Sequence, residues 1–133
     1  GGWEEKDSVI ALDSGLAEAL LGLDGFSHLI VLYDLDQVRD RFAGSPLPQK
    51  VHPRGRKDMP LIGLFASRTP ARPNPLAMTV VRLLKIEGAR LTVRGLDAID
   101  GSPVLDIKPY LPANDCVKDP VIPEWAAALA RGE

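Results

Sequence analysis

One apolar run decides the fold of this chain: His28-Leu29-Ile30-Val31-Leu32-Tyr33. After its histidine the run is continuously apolar, and it is too short for an independent helix, as is typical of a strand covered on both faces. We therefore predict that it forms the central strand of the domain. A histidine entering a buried strand is most often a structural hydrogen-bonding residue, and the alternative is a catalytic role for His28.

Working outward from this run, twelve prolines and twelve glycines divide the chain into short pieces. The apolar segments between them are too brief and too β-branched for long helices, so we predict a β-rich α+β domain. The expected strands cover 9–12, 61–67, 79–87, 90–95 and 104–107, with a hairpin turn at 87–89. Short helices are expected at 14–21 and after Pro123, whereas 36–59 should lack regular structure apart from a helical turn near 38–42.

Length and composition limit the classes of protein that are possible. At 133 residues and 45% hydrophobic, residues 1–133 fit a single domain with one core. The chain has no stretch near the ~18 uncharged apolar residues of a membrane helix, and its opening Gly1-Gly2-Trp3 does not resemble a signal peptide. The single Cys116 excludes an internal disulfide and a multi-cysteine zinc site. We expect a soluble, cytoplasmic protein.

Charge is distributed unevenly along the chain. The net charge is only −2, but residues 50–94 hold ten basic residues against two acidic ones. Four of these cations lie in residues 50–57, and phosphate binding needs only accessible cations, so we predict that this segment contacts nucleic acid. The alternative is a solvated loop without a partner. The predicted RNA-binding residues of this segment are Lys50, Arg54, Arg56 and Lys57.

A proline-rich segment, Arg68-Thr69-Pro70-Ala71-Arg72-Pro73-Asn74-Pro75, is the second candidate site. Its three prolines fix the backbone and remove three hydrogen-bond donors, which makes a stiff loop that loses little entropy when a ligand binds. Arg68 and Arg72 offer planar guanidinium groups suited to carboxylate or phosphate, and Asn74 offers donors and an acceptor. The alternative is a strand connection with surface arginines.

An acidic turn leads from Leu96 to Tyr110 and carries Asp97, Asp100 and Asp106. Because no histidine lies nearby and aspartates often only cap turns, we do not expect a metal site. Glycine-rich dinucleotide, Walker A, His-Glu-x-x-His and Gly-x-Ser-x-Gly motifs are all missing from the sequence, which excludes a Rossmann fold with its usual fingerprint.

Three elements together, in this order and spacing, resemble the TsaA-like (TrmO) family. They are Phe26-Ser27-His28-Leu29, the run from Gly63-Leu64-Phe65-Ala66 to Arg72-Pro73-Asn74-Pro75, and the segment from Asp97 to Asp106-Ile107-Lys108-Pro109-Tyr110. The resemblance covers roughly residues 20–112. It implies a small β-barrel-like domain, neither Rossmann nor knotted, that uses S-adenosylmethionine near a homodimer interface. Members of the family methylate N6 of the threonylcarbamoyl-modified adenosine beside the anticodon of tRNA.

The resemblance also implies the positions of the site residues. By position, the family's cofactor contacts fall on Asp36, Gln37, Arg68, Leu76, Met78, Leu96, Asp97, Ala98 and Ile99. Catalytic roles are expected for Asn74 and for Asp106 or Tyr110 as acceptors of the N6 proton. Arg72 joins the basic residues of 50–57 as a predicted tRNA contact.

One departure from the family pattern stands out. The family usually begins with a further strand and a Pro-Arg-Gln segment that contacts the cofactor, and this sequence starts at Gly1-Gly2 without either. An alternative function is therefore a catalytically inactive module on the same scaffold that binds a small ligand or RNA.

Overall fold

The structure is built on one antiparallel sheet of five strands. The computed structural model describes residues 2–133, and its strands are β1 (Asp7–Ala11), β2 (His28–Asp34), β3 (Lys50–Val51), β4 (Ile62–Gly63), β5 (Leu76–Glu87), β6 (Arg90–Arg94) and β7 (Val104–Pro109). The main sheet has the order β1-β6-β5-β2-β7, and β3 pairs with β4 in a separate ribbon. The α-helices are α1 (Asp36–Arg41), α2 (Pro112–Asp115) and α3 (Glu124–Ala130). None of the helices within residues 2–133 is long and apolar enough to cross a membrane.

Strand β2 confirms the strand predicted from the apolar run, and it lies inside the sheet between β5 and β7. The expectation that both of its faces are covered is wrong. Leu29, Val31 and Tyr33 are buried, whereas Ile30 and Leu32 on the opposite face are only half-buried. This alternation has the two-residue period of a sheet with one face on the core.

The core lies on the buried face of β2. Side chains from β1, β2, β5 and β6 meet there with Leu20 from a 3-10 helix and with Leu96. Full burial of a Val or Leu side chain contributes about 1.5–3 kcal/mol. The largest fully buried side chains are Leu29, Val31, Val81, Leu91 and Val93.

The hairpin formed by β5 and β6 confirms the predicted turn. Glu87 pairs with Arg90 across a loop of two residues, and Gly88 at its first position has φ +60°. A tight hairpin with the strand twist needs positive φ at this position, which glycine adopts without steric cost.

The expected barrel does not close. Within residues 2–133 the sheet is open, because β1 and β7 form its two edges and pair with β6 and β2 alone. The strand expected at 61–67 is also wrong: β4 has only two residues, and the chain then enters a 3-10 turn at Leu64–Ala66. The segment 14–20 is a 3-10 helix, and 36–59 is more regular than expected, because it contains α1 and β3.

Candidate functional site

A cleft opens where β6 separates from β5. The pairing of β5 with β6 covers only Arg82 to Glu87, while β5 continues along β2 back to Leu76. At Gly95, with φ +90°, the chain leaves the β6 line, and an added Cβ would lie 3.4 Å from the Glu4 carbonyl oxygen. As a result, the edge of β5 over 76–81 has no ladder partner on that side within residues 2–133.

This cleft has a volume of about 1440 Å³. Six parts of the chain line it: the end of β2, the free edge of β5, the segments 51–55 and 65–72, Asp97, and the last part of the chain including α3. The charged side chains among its lining residues are three arginines and one aspartate, namely Arg54, Arg68, Arg72 and Asp97. The cleft therefore favours anionic ligands.

Tyr33 fixes the position of Asp97 at the bottom of the cleft. Its side chain is only 3% exposed, and its hydroxyl donates a hydrogen bond to the backbone carbonyl of Asp97. Because the phenol has one proton, the Thr79 hydroxyl must be the donor in its 3.0 Å hydrogen bond with Tyr33. Burial raises the pKa of Tyr33, so the phenol remains a donor at neutral pH.

Arg72 stabilises the proline-rich loop from within. Its guanidinium Nη1 donates to the carbonyl oxygens of Ser67 at 2.7 Å and Thr69 at 3.3 Å. The same guanidinium lies 5.7 Å from the centre of the Phe65 ring. Arg68, in contrast, is exposed and forms no ion pair with any carboxylate of residues 2–133. Arg68 is thus available to a ligand, whereas Arg72 is partly used by the loop.

The basic segment 50–57 is ordered by contacts on both sides of a tight turn. Pro53 is buried, and the His52 ring Nδ1 lies 2.9 Å from the Met59 carbonyl oxygen. Arg54, with φ +55°, adopts a left-handed conformation that is uncommon for a residue with a side chain, and it lines the cleft.

The other basic residues of segment 50–57 differ in whether their charged groups are free to bind a ligand. Arg56 binds both carboxylate oxygens of Asp58, at 3.1 and 2.6 Å, and donates to the Glu133 carbonyl oxygen at 2.7 Å. The guanidinium lowers the pKa of Asp58. Lys50 and Lys57 are exposed and lie outside the cleft lining.

The structure brings only some of the predicted cofactor contacts together. Arg68, Leu76, Met78 and Asp97 all line the cleft. Asp36 and Gln37 form the first turn of α1, directly after Leu35, which also lines it. The other three lie in the segment around Asp97 but outside the lining: Leu96 is a buried core residue, Ala98 packs against the core, and Ile99 is exposed.

The three predicted catalytic residues lie outside the cleft lining of the protomer. Asn74 is exposed, and its carbonyl oxygen accepts a 2.8 Å hydrogen bond from the Leu76 N–H. Asp106 pairs with Lys108 at 3.0 Å, and this contact lowers its pKa, which weakens it as a base. Tyr110 packs edge-on against His28, at the opposite end of β2 from Tyr33. His28 and Tyr33 are five positions apart along the strand, or about 17 Å at about 3.3 Å per residue.

Three lining aromatic residues had no predicted role in the site: Tyr33, Phe65 and Trp125. Trp125 belongs to α3, which contributes Ala126, Leu129 and Ala130 as well. The terminal helix itself is predictable from Pro123 and the alanine run, but the sequence gives no signal for where it packs. The position of Tyr33 at the end of β2 could have suggested a hydroxyl at the sheet end.

Comparisons with known proteins agree on one family. The model of the tRNA-methyltransferase O N-terminal domain matches residues 1–116. An S-adenosyl-L-methionine-binding protein of Archaeoglobus fulgidus is 42% identical over 118 residues, which are 88% of this chain and 78% of that protein. A tRNA (adenine(37)-N6)-methyltransferase of Mus musculus is 40% identical over 93 residues, which are 70% of this chain and 20% of the mouse protein.

Solved structures show the same relationship. The crystal structure of TrmO from Pseudomonas aeruginosa superposes with a TM-score of 0.68 at 33% identity, covering 90% of this chain and 48% of the other. The chain therefore spans about half the length of that solved relative. From the match of the family model over residues 1–116, together with these similarities, the chain belongs to the family of the tRNA-methyltransferase O N-terminal domain.

Proposed function

We propose that this chain carries out S-adenosylmethionine-dependent methylation of adenine N6 in tRNA. The observation that carries the proposal is the cleft itself, in which Arg68, Asp97 and Arg54 come together from three separate segments. Two of the relatives, a protein that binds S-adenosyl-L-methionine and a tRNA (adenine(37)-N6)-methyltransferase, support it.

The residues of the cleft fit the cofactor. Arg68 has no carboxylate partner within residues 2–133, so its guanidinium can bind the carboxylate of the methionine part. Asp97, whose backbone is held by Tyr33, can accept hydrogen bonds from ribose hydroxyls. The free edge of β5 supplies backbone donors and acceptors for an adenine ring, and Met78 and Leu76 supply apolar contact. We propose that Asp36, Gln37, Leu96, Ala98 and Ile99 position these contacts from the two adjoining segments.

Methyl transfer makes limited demands on the protein. S-adenosylmethionine, if bound, would supply a sulfonium methyl group: the adenine nitrogen would attack the methyl carbon in line, forming the N–C bond as the C–S bond breaks, with S-adenosylhomocysteine as the leaving group and release of the N6 proton. The residues must bring the nitrogen to about 3–3.5 Å from the methyl carbon and exclude water. Phe65, Trp125 and Leu129 form apolar walls suited to the second task.

Asp106 and Tyr110, the proposed acceptors of the N6 proton, do not reach the cleft of their own protomer. Asp106 and Tyr110 lie outside the cleft lining, and Asn74 contributes its backbone carbonyl to the loop. If Asp106 or Tyr110 accepts the proton, it does so from a second protomer. Water is the alternative acceptor within one protomer.

We propose that the adenosine methylated is the one that carries a threonylcarbamoyl group. A cofactor carboxylate needs one guanidinium, and the cleft presents Arg54 in addition to Arg68. The threonyl group of the modified base carries a second carboxylate, for which Arg54 is a suitable partner. Lys50, Arg56, Lys57 and Arg72 would contact the tRNA backbone around the cleft.

We also propose a homodimer formed through the outward face of the sheet. Ile30 lies beside Val80 and Leu32 beside Met78 in the register of β2 and β5, and this apolar face is partly exposed. Asp106 and Lys108 border it with opposite charges, and a two-fold axis can pair such charges reciprocally.

A titration followed by a product assay tests the function. We expect S-adenosylmethionine to bind the purified chain in calorimetry, and we expect mass spectrometry of tRNA nucleosides to show a mass gain of one methyl group on threonylcarbamoyladenosine. The matched substrate is the same tRNA without the threonylcarbamoyl group, which should react more slowly. Cofactor binding without methylation of either tRNA would favour the inactive binding module instead.

A further inference from the structure

Phe65 is a large aromatic side chain that is 78% exposed and lines the cleft. A single exposed apolar residue is common on protein surfaces and has no functional meaning by itself. The environment of Phe65 differs from that of an ordinary surface residue in three respects: its backbone is fixed, a cation lies against its ring, and it borders the cleft.

The turn that carries Phe65 is held from both sides. Leu64 is buried, and its N–H donates to the Gln49 carbonyl oxygen at 2.9 Å. The Ser67 N–H and hydroxyl both donate to the Leu64 carbonyl oxygen, at 3.2 and 2.8 Å. The backbone at Phe65 is therefore ordered before any ligand arrives, which reduces the entropy lost on binding.

The ring itself is supported by Arg72. Its guanidinium lies 5.7 Å from the ring centre and is fixed by the carbonyl oxygens of Ser67 and Thr69. Much of the ring surface remains open to solvent. A fixed, open aromatic ring is the kind of surface on which unpaired nucleobases stack, and nearby arginines add attraction for the RNA backbone.

The depth of the cleft indicates which ligand reaches this ring. Tyr33 at the bottom is 3% exposed, whereas Phe65 is 78% exposed and so lies at the mouth. A cofactor bound along Asp97 and the β5 edge occupies the inner part. A base that enters from a large RNA meets the mouth first.

We propose that Phe65 is the stacking platform for the target adenine when this base leaves the anticodon loop and enters the cleft. This inference rests on the proposed function and adds a specific contact to it. Phe65 is thus a substrate-binding residue, and its side chain does not bind the cofactor.

A double-mutant cycle between protein and RNA tests the proposal. The probes are an anticodon stem-loop with the target adenine and the same stem-loop with an abasic site at that position. Phe65→Ala should weaken binding of the intact RNA by about tenfold, as expected when one stacked base loses its platform, and should hardly change binding of the abasic RNA. Phe65→Tyr, which keeps the ring, should restore the affinity.

Two controls separate this effect from others. Leu61→Ala removes a side chain that is 56% exposed and outside the cleft lining, and it should leave RNA binding unchanged. The affinity of Phe65→Ala for S-adenosylmethionine, measured by calorimetry, should equal that of the unaltered protein. Preserved cofactor binding also shows that the variant is folded.

Three results would overturn the proposal: unchanged RNA affinity in Phe65→Ala, an equal loss on the intact and abasic RNAs, or a loss of cofactor affinity in a folded variant. Each can occur while the unaltered protein methylates tRNA, in which case the proposed function stands without this contact. Absence of methylation by the unaltered protein would instead count against the function.

Discussion

The hydroxyl of Tyr33 donates a hydrogen bond to the backbone carbonyl of Asp97, a residue 64 positions later in the chain. Thr79 donates to the same hydroxyl from the neighbouring strand β5. One phenol therefore joins β2, the free edge of β5 and the acidic segment after β6. The shape of the cleft bottom depends on this contact.

We predict that Tyr33→Phe has two effects: it destabilises the protein and it weakens cofactor binding. The change leaves a partly buried carbonyl without its donor, which costs about 1–3 kcal/mol in the free energy of unfolding. Denaturant unfolding and calorimetric titration measure the two effects. The matched control is Tyr110→Phe, because Tyr110 packs against His28 at the other end of β2. This variant should leave cofactor affinity unchanged. Equal effects of the two variants on that affinity would contradict a specific role for Tyr33.

The same residue should make stability sensitive to alkaline pH. Burial raises the pKa of Tyr33 above its usual 10.0, so the folded state favours the protonated phenol. The resulting stabilisation is complete below pH 10 and is lost as the pH rises through the raised value. We expect the free energy of unfolding to fall above about pH 10, and Tyr33→Phe to remove part of that decline. An identical alkaline decline in the variant would show that other groups cause it.

Local sequence patterns were sufficient to predict the strands of the main sheet, but not the short ribbon of β3 and β4, the closure of the sheet or the depth of the cleft. The apolar run at 28–33 and the glycine at position 88 act through neighbouring residues, so strand β2 and the hairpin follow from the sequence. The barrel expectation was wrong because pairing of the edge strands β1 and β7 depends on the curvature of the whole sheet.

In the site, too, local features could be predicted from the sequence, whereas contacts between distant residues could not. The stiff arginine loop and Asp97 could be found from the sequence, and both line one cleft. The Tyr33 contact and the packing of Trp125 join residues far apart in the chain, so no local pattern contains them. Arg72 was predicted as an RNA contact, and no sequence pattern indicated its hydrogen bonds to the carbonyls of its own loop.

We predict that Arg68→Ala removes most of the affinity for S-adenosylmethionine. Its guanidinium is the exposed cation of the proline-rich loop, and a charge-assisted bond to a carboxylate is removed with it. Hydrogen bonds to charged groups contribute about 1.5–3 kcal/mol, which corresponds to a loss of at least tenfold. Arg82→Ala removes another exposed arginine outside the cleft lining and serves as control. Calorimetry that finds unchanged affinity in Arg68→Ala would refute its role.

The basic segment should contribute unequally to tRNA binding. Arg54 and Lys57 have no ion-pair partner within residues 2–133, whereas Arg56 is held by Asp58. Neutralising Arg54 or Lys57 should weaken tRNA binding, and loss of Lys57, the proposed backbone contact, should lower the slope of log affinity against log salt by about 0.7–0.9 for each phosphate group that the protein no longer neutralises. Arg56→Ala should have a smaller effect, and Lys118→Ala, an exposed lysine outside the cleft lining, should have none. Binding isotherms at several salt concentrations measure the slopes, and an equal loss of cofactor affinity would indicate misfolding.

The outward face of the sheet should be sensitive to charge if it forms the homodimer. Val80 is 44% exposed, lies beside Ile30 and is outside the cleft lining, so Val80→Glu places a carboxylate in the proposed interface without replacing a side chain that lines the cleft. Each protomer of a two-fold dimer would contribute one such charge near the axis, and both would have to lose their hydration. We expect light scattering to show a dimer for the unaltered protein and a monomer for Val80→Glu. Val121→Glu, at a position 97% exposed, should remain dimeric.

The activity of the Val80→Glu variant tests whether a second protomer takes part in the reaction. If the variant is monomeric and still binds cofactor but no longer methylates tRNA, a second protomer contributes to the reaction, as a proton acceptor at Asp106 or Tyr110 requires. A dimer that persists in Val80→Glu would place the interface on another surface.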